Sequence, residues 1–323
     1  MNAPRSDAPR WLIVGASGLL GHGMCQHLLA VGAHVTATVH SHPVGVAGVE
    51  EIPWSLGQGA SPDALIETCR PDAVLYAAGL TSVDQCESDE ALADFLHADA
   101  PAALAAAARR TGGRFVYIST DHLWDGSRSM VEEDEPVQPL NAYARSKAKG
   151  EAAVLEADPA ALLIRTNFFG RGRVWRQSLS DWMLARLRSG QPLNAFEDAH
   201  FTPIAVPLLC EIIGRATDRH LSGVYHACGR ERLSKLEFAL RLAAWCHLAK
   251  DGIRPGRLAD AGLIARRPAD MSLSTRKLSQ ALSHQMPDVA ESLFAVFGPQ
   301  GRRDCSASRR QFQGSRGSRG GGG

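Results

Sequence analysis

The sequence predicts an α/β protein built on a doubly wound parallel sheet, with a smaller, partly interleaved C-terminal lobe. Three observations carry this expectation. Short continuous apolar runs, such as "WLIVG" (11 to 15), "DAVLYAAG" (72 to 79) and "RFVYIST" (114 to 120), read as strands buried on both faces. Helical patterns separate these runs through the first half of the chain, the alternation that a parallel sheet requires. A length of 323 residues, 45% hydrophobic and 21% charged, suits one large α/β domain or two unequal ones.

In chain order, "WLIVG" is the first strand, followed by a helix from about Gly18 to Val31. "HVTATV" (34 to 39) is the second strand, "GVEEIPW" a weaker third, and "DALIETC" a helix. After the strand at 72 to 79, "DEALADFLHADAPAALAAAARRTG" forms a long helical pattern interrupted at Pro101, where a backbone donor is missing. "RFVYIST" is the next strand, "AYARSKAKGEAAVLEA" the next helix, and "ALLIRTNFFG" (161 to 170) one further strand. Beyond 170 the alternation loosens: helix "SLSDWMLARLRSG", strand "PLNAF", helix "VPLLCEIIGRAT", strand "GVYHACG" and helix "SKLEFALRLAAWC". This divides the chain into a dinucleotide-binding domain at 1–170, a mainly substrate-binding lobe at 171–298 and a Gly/Ser/Arg tail at 299–323, expected to be disordered.

Composition narrows the function classes. The formal net charge of +1 conceals an asymmetry, because residues 301 to 323 hold six arginines and one aspartate. The remaining body has 29 basic and 33 acidic residues, a net charge of −4, and gives no reason to expect nucleic-acid binding. The tail's arginines could attract phosphate, or the tail could simply dangle. Seven scattered cysteines (25, 69, 86, 210, 228, 246 and 305) form no C-x-x-C pair, so neither a disulfide framework nor a metal site is expected. "MNAPRSDAPR" has no apolar signal core and no apolar run spans a bilayer, so no membrane association and a cytoplasmic location are expected.

The first strand runs directly into "GASGLLG", with Gly15, Gly18 and Gly21 spaced three apart. A turn without side chains lets a pyrophosphate approach the backbone, and the following helix offers it unpaired N–H groups. Ser17, Leu19 and Leu20 complete this cofactor-facing turn. At the end of the second strand, where an acid would hold the ribose of NAD, the chain reads "TVHSH". With Val39 in place of a carboxylate, a 2′-phosphate is not repelled and His40 could help hold it. NADP (NADPH) is therefore favoured, with NAD as the alternative; His40 and His42 could also be ordinary loop residues.

"RFVYIST" delivers Ser119 and Thr120 at the carboxyl end of its strand, where open α/β sheets bind ligands. Further on, Tyr143 and Lys147 sit one helical turn apart. A phenol with a free pKa near 10 exchanges protons poorly at neutral pH, and a neighbouring ammonium is expected to lower it. Thr120 would align a reacting carbonyl by hydrogen bonding.

The motifs taken together resemble the extended short-chain dehydrogenase/reductases, and within them the dTDP-4-dehydrorhamnose reductase and sugar-nucleotide-binding branch. The resemblance is carried in order by "GASGLLG", "PDAVLYAAGLTSVDQCE", "YISTDHLWDG", "NAYARSKAKGE", "LIRTNFFG", "FTPI", "GVYHACG" and "RRPADMSLSTRKL". It implies a Rossmann fold and catalysis by Thr120, Tyr143 and Lys147, with Tyr143 protonating the sugar oxygen and Lys147 binding the nicotinamide ribose. Ala77, Ala78, Gly79 and Thr81 would line the cofactor, and Ser55 and Leu56 would flank the adenine. Asp121, His122, Asn167 and Phe168 would face the sugar. Arg171 and Arg173 could hold a substrate diphosphate or form a solvated face. The implied partner is a nucleotide-sugar substrate, and a homodimer is compatible with the pattern.

The departures lie on the substrate side: His122 replaces the usual tyrosine, Phe168 a common tryptophan, and "EDAHFTPI" the "DQ-x-G-x-PT" segment. They leave NADPH-dependent reduction of a 4-keto-6-deoxy nucleotide sugar as the leading expectation. Epimerisation stays open, as does a non-catalytic NADP-binding regulatory role resembling the methionine adenosyltransferase β subunit. Dehydration is disfavoured, because the dehydratases carry a glutamate where this chain has His122.

Overall fold

A computed structural model describes residues 8–57 and 61–299; Cys305 and the Gly/Ser/Arg segment from residue 300 onward lie outside the described residues. Six strands enter the main sheet in the first half of the chain: β1 (Arg10–Val14), β2 (His34–Val39), β3 (Glu50–Pro53), β4 (Ala73–Tyr76), β5 (Arg114–Ile118) and β6 (Leu162–Arg165). The chain then enters the second lobe through β7 (Phe168–Phe169), β8 (Leu193–Phe196), β9 (His200–Phe201) and β10 (Ile204–Ala205). It returns as β11 (Gly223–His226), which pairs with β6, and finishes the lobe with β12 (Leu233–Ser234) and β13 (Ile253–Gly256). The seven-stranded sheet has the order β11-β6-β5-β4-β1-β2-β3 with every pair parallel. Its winding reverses between β1 and β4, which opens a crevice at their carboxyl ends.

Strand side chains alternate between two buried layers. Ile13, Ala37, Leu75, Val116, Ile118 and Ile164 pack beneath α1 (Leu19–Ala30) and, further along the chain, the helix Val206–Asp218. Leu12, Val14, Val74, Tyr76, Phe115 and Leu163 pack beneath α2 (Pro62–Cys69) and the helices Ala100–Arg110 and Ala142–Ala157. Burial on both faces is why these strands read as unbroken apolar runs.

The helical stretch after β4 comprises α3 (Val83–Ser88), α4 (Glu90–Asp94), a π-helical turn at Phe95–Asp99 and α5 (Ala100–Arg110). The break expected at Pro101 is this π turn, one step earlier. Pro101 has no N–H to offer the carbonyl of His97 four residues back. Two buried tyrosines supply donors instead: the Tyr117 hydroxyl donates to the His97 carbonyl at 2.8 Å, and the Tyr76 hydroxyl to the Leu96 carbonyl at 2.7 Å. The wider turn brings the His97 side chain under the crevice.

α6 (Ala142–Ala157) is capped by Asn141, whose side chain accepts from Ala144 N at 2.9 Å. The expected single strand at 161–170 is split, because β6 ends at Arg165 and β7 pairs with β10 in the other lobe. The backbone turns at Thr166 and Asn167, and the Asn167 carbonyl accepts from Ile204 N at 3.1 Å. The smaller lobe packs Phe169, Met183, Phe201, Phe238, Leu242 and Leu293 around α7 (Leu179–Arg188), α9 (Lys235–Trp245) and α11 (Val289–Phe297), while α8 (Val206–Asp218) and α10 (Arg276–Leu282) bury their apolar residues in the layer shared with α1. Among the described residues no helix is long and apolar enough to cross a membrane.

Candidate active site

The turn after β1 and the loop after β4 touch at the switch point. Gly15 has φ +88°, and a Cβ on it would lie 2.5 Å from Ala78 N, so only glycine fits. Gly21 meets the carbonyl of Gly15 as closely, which holds α1 against the turn. Gly18 is the N-cap of α1 without any side-chain cap, and no acidic residue occupies the first turn. The half-buried Ser17 and the first-turn residues Leu19 and Leu20 therefore present a helix start open to an anion. Leu56 and Ala78 both pack against the same core layer. His40 is exposed at the end of β2 with its Nδ1 2.9 Å from Ser41 Oγ, and Val39 supplies no carboxylate there. These close-packed glycines and the uncapped helix fit a dinucleotide diphosphate.

The chemical end lies at β5 and α6. Thr120 and Asp121 are buried just past β5, and Tyr143 and Lys147 project from the first two turns of α6. The Thr120 hydroxyl donates to Asp121 Oδ1 and accepts from His122 N, both at 3.3 Å, and lies beside the Tyr143 phenol. Lys147 Nζ donates to the Ile118 carbonyl at 2.9 Å and lies 4.9 Å from the centre of the Tyr117 ring. Burial pushes the lysine down to about 8, with Glu151 opposing. The expected lowering of the phenol by the ammonium is not what this arrangement gives. Burial pushes Tyr143 above the usual tyrosine range, the Thr120 hydrogen bond pulls the other way, and Lys147 has no resolved influence on it. The phenol is thus fully protonated at neutral pH, the form a proton donor needs.

Asp121 accepts from Asn167 Nδ2 at 2.6 Å, so β5 and the break after β6 are tied at this point. The His122 ring meets Tyr143 edge-on, with centroids 5.6 Å apart, and its buried Nδ1 has no partner among the described residues. Burial lowers the His122 pKa, so the ring is neutral. Phe168 lies in β7, half-buried beside the larger lobe. The two arginines lie elsewhere. Arg171 donates to the Val296 carbonyl at 3.3 Å and faces Phe297 of α11, while Arg173 contacts His22 and Val44 near the end of β2. These placements give a substrate-diphosphate clamp no support.

Three functional groups were not singled out by sequence. His97 accepts from Leu80 N at 3.1 Å through Nε2 and contacts Ser146 Oγ at 2.8 Å through Nδ1, linking the loop after β4 to α6. A Cβ on Gly79 would lie 2.9 Å from His97 Nε2, which explains the glycine. Burial, with Lys147 adding to it, lowers His97 to about 3, so it is a neutral brace. Behind the site, Glu151 receives Ser119 Oγ at 2.6 Å and a two-pronged contact from Arg165 at 2.9 and 2.7 Å. Lys235, over the Phe201 ring, adds a cation near Asp121 and His122; burial lowers it to about 8. Its sequence signal was a lysine in the first turn of a helix, where the macrodipole opposes it.

The RmlD substrate binding domain family matches residues 10–299. The dTDP-4-dehydrorhamnose reductase of Burkholderia thailandensis is 31% identical over 294 residues, 86% of this chain and 94% of that protein. Methionine adenosyltransferase 2 subunit beta of Xenopus laevis is 28% identical over 253 residues, 76% of this chain and 75% of that one. Among solved structures, the Bacillus anthracis dTDP-4-dehydrorhamnose reductase in complex with NADP superposes with a TM-score of 0.79 at 23% identity, covering 90% of this chain and 99% of that one. With the glycine turn, the switch-point crevice and the Thr120, Tyr143 and Lys147 cluster in one fold, the chain belongs to the RmlD substrate binding domain family of the extended short-chain dehydrogenase/reductases.

Proposed function

We propose that this protein is an NADPH-dependent reductase of a 4-keto-6-deoxy nucleotide sugar. The observation that carries the reading is the convergence of Thr120, Tyr143 and Lys147 beside the loop of Ala77, Ala78, Gly79 and Thr81. When bound, NADPH supplies the hydride. Gly15, Ser17, Gly18, Leu19, Leu20 and Gly21 hold its diphosphate, Ser55 and Leu56 flank its adenine, and Lys147 binds its inner ribose.

Tyr143 Oη donates its proton to the sugar oxygen as that oxygen gains charge, and Thr120 orients the phenol for the transfer. Burial keeps Tyr143 protonated until the transfer, and the Thr120 hydroxyl, which opposes that shift, steadies the phenolate left behind. Asp121, Asn167, His122 and Phe168 shape the sugar side. His97 holds the Leu80 amide and thereby the cofactor loop.

The similarity to a methionine adenosyltransferase β subunit favours a second, regulatory reading, and the substituted sugar-side residues suit it. An assembled proton-transfer site favours the enzyme. The test is NADPH absorbance with dTDP-4-dehydrorhamnose and related keto-sugar nucleotides. A reductase consumes NADPH in a 1:1 ratio with product, an epimerase consumes none while converting substrate, and a regulatory subunit binds NADPH without turnover.

A further inference from the structure

The segment after β7 forms a tight hairpin across the mouth of the crevice. Arg173 and Arg176 exchange backbone hydrogen bonds of 2.9 Å in both directions, with Val174 and Trp175 exposed at the tip. Its root is fixed to the smaller lobe by Ser178, which caps α7 and donates to the Gly170 carbonyl at 2.5 Å. On one side the Arg176 guanidinium donates to the Thr81 hydroxyl in the loop after β4. On the other, Trp175 packs edge-on against His42, with centroids 4.5 Å apart, in the loop after β2. Because β1 lies between β4 and β2 in the sheet, the hairpin crosses above the glycine turn that ends β1.

Arg173 lies on the adenosine side of this strap. Its guanidinium donates to His22 Nε2 and to the Val44 carbonyl, both at 2.8 Å, and stacks 4.7 Å from the Trp175 ring. Both acceptors are neutral, since burial, reinforced by Arg173, lowers His22. The side-chain contacts of Arg173 include no carboxylate among the described residues, and its buried Nε has no acceptor. The acid on this side, Glu51, is held by Val44 N at 2.9 Å and Gly45 N at 3.0 Å. Arg173 thus places an uncompensated, always-charged planar donor beside the strand end where Val39 leaves the ribose without an acidic partner.

We propose that Arg173, reaching over from the smaller lobe, reads the 2′-phosphate of the dinucleotide and sets the preference for NADP over NAD. The proposal rests on the cofactor reading above. An incoming phosphate replaces the Val44 carbonyl as acceptor, exchanging a neutral contact for a charge-assisted one. The hairpin then closes over the bound nucleotide through Arg173 on one lip and Arg176 on the other.

The test is calorimetric titration of the full chain with 2′,5′-ADP and with 5′-ADP, which lacks the 2′-phosphate, in wild type, Arg173→Gln and Arg173→Lys. Arg173→Gln is expected to weaken 2′,5′-ADP by roughly tenfold or more and leave 5′-ADP within about twofold, with Arg173→Lys recovering part of the loss. Equal weakening of both nucleotides would make the hairpin a structural strap only. A wild-type preference for 2′,5′-ADP that survives in Arg173→Gln overturns this assignment while leaving the NADP reading intact. Failure of wild type to bind either nucleotide overturns both.

Discussion

Lys147 carries a cost that can be measured apart from catalysis. The residue is only 6% exposed, its ammonium lies against the Ile118 carbonyl and the Tyr117 ring, and burial lowers its pKa from 10.5 to about 8. In the unfolded chain the lysine stays protonated up to about its ordinary value, so between about 8 and 10.5 the unfolded state holds more protons than the folded state. Stability contributed by this group therefore rises with pH through that window, and the full penalty is present below it. The span corresponds to about 3 kcal/mol at about 1.36 kcal/mol per pH unit. Lys147→Met removes the titration and leaves every other group in place. Urea unfolding of both proteins at about pH 7 and about pH 10 should show wild type gaining most of that about 3 kcal/mol relative to the variant. Parallel pH profiles, within about 0.5 kcal/mol, would refute the claim that the ammonium is buried at a cost.

Two further outcomes follow from the same geometry. Arg165→Met leaves the buried Glu151 without its ion-pair partner, with only the Ser119 hydroxyl bonded to it, and should destabilise the protein by about 3–5 kcal/mol in urea. Adding Glu151→Gln to that variant should recover a large part of the loss. Gly79→Ala pushes a methyl group against His97 Nε2 and disturbs the Leu80 amide it holds. NADPH affinity, measured by fluorescence titration, should fall by roughly tenfold or more, and an unaltered Kd would remove His97 as the brace of that loop.

The sheet was legible because burial on both faces writes strands as unbroken apolar runs, and the glycine turn because Gly15 and Gly21 tolerate no side chain. The placement of Thr120 just past a strand and of Tyr143 and Lys147 one turn apart on one helix was legible because both follow from local patterns. What escaped depends on contacts between distant segments. The π turn at Phe95–Asp99 is stabilised by hydroxyls from β4 and β5, and without those partners the sequence shows only Pro101. The break after Arg165 is invisible locally, because β7 is held by β10, far along the chain. The phenol's upward shift reverses the expectation drawn from Tyr143 and Lys147 alone, since burial outweighs a neighbouring charge whose nearest acceptor is a backbone carbonyl. Arg173 could be read as part of a substrate clamp or as a solvated face, and only the path of the hairpin brings it to His22 and Val44, near the end of β2.

The central claim is that Tyr143 gives up the proton in a reduction driven by NADPH. Tyr143→Phe keeps the ring between His97 and His122 and removes only the hydroxyl. Steady-state NADPH oxidation with a 4-keto-6-deoxy nucleotide sugar should fall by about 10²–10⁴-fold in this variant, with the Kd for NADPH within about threefold of wild type. Turnover at the wild-type rate in Tyr143→Phe would contradict the account.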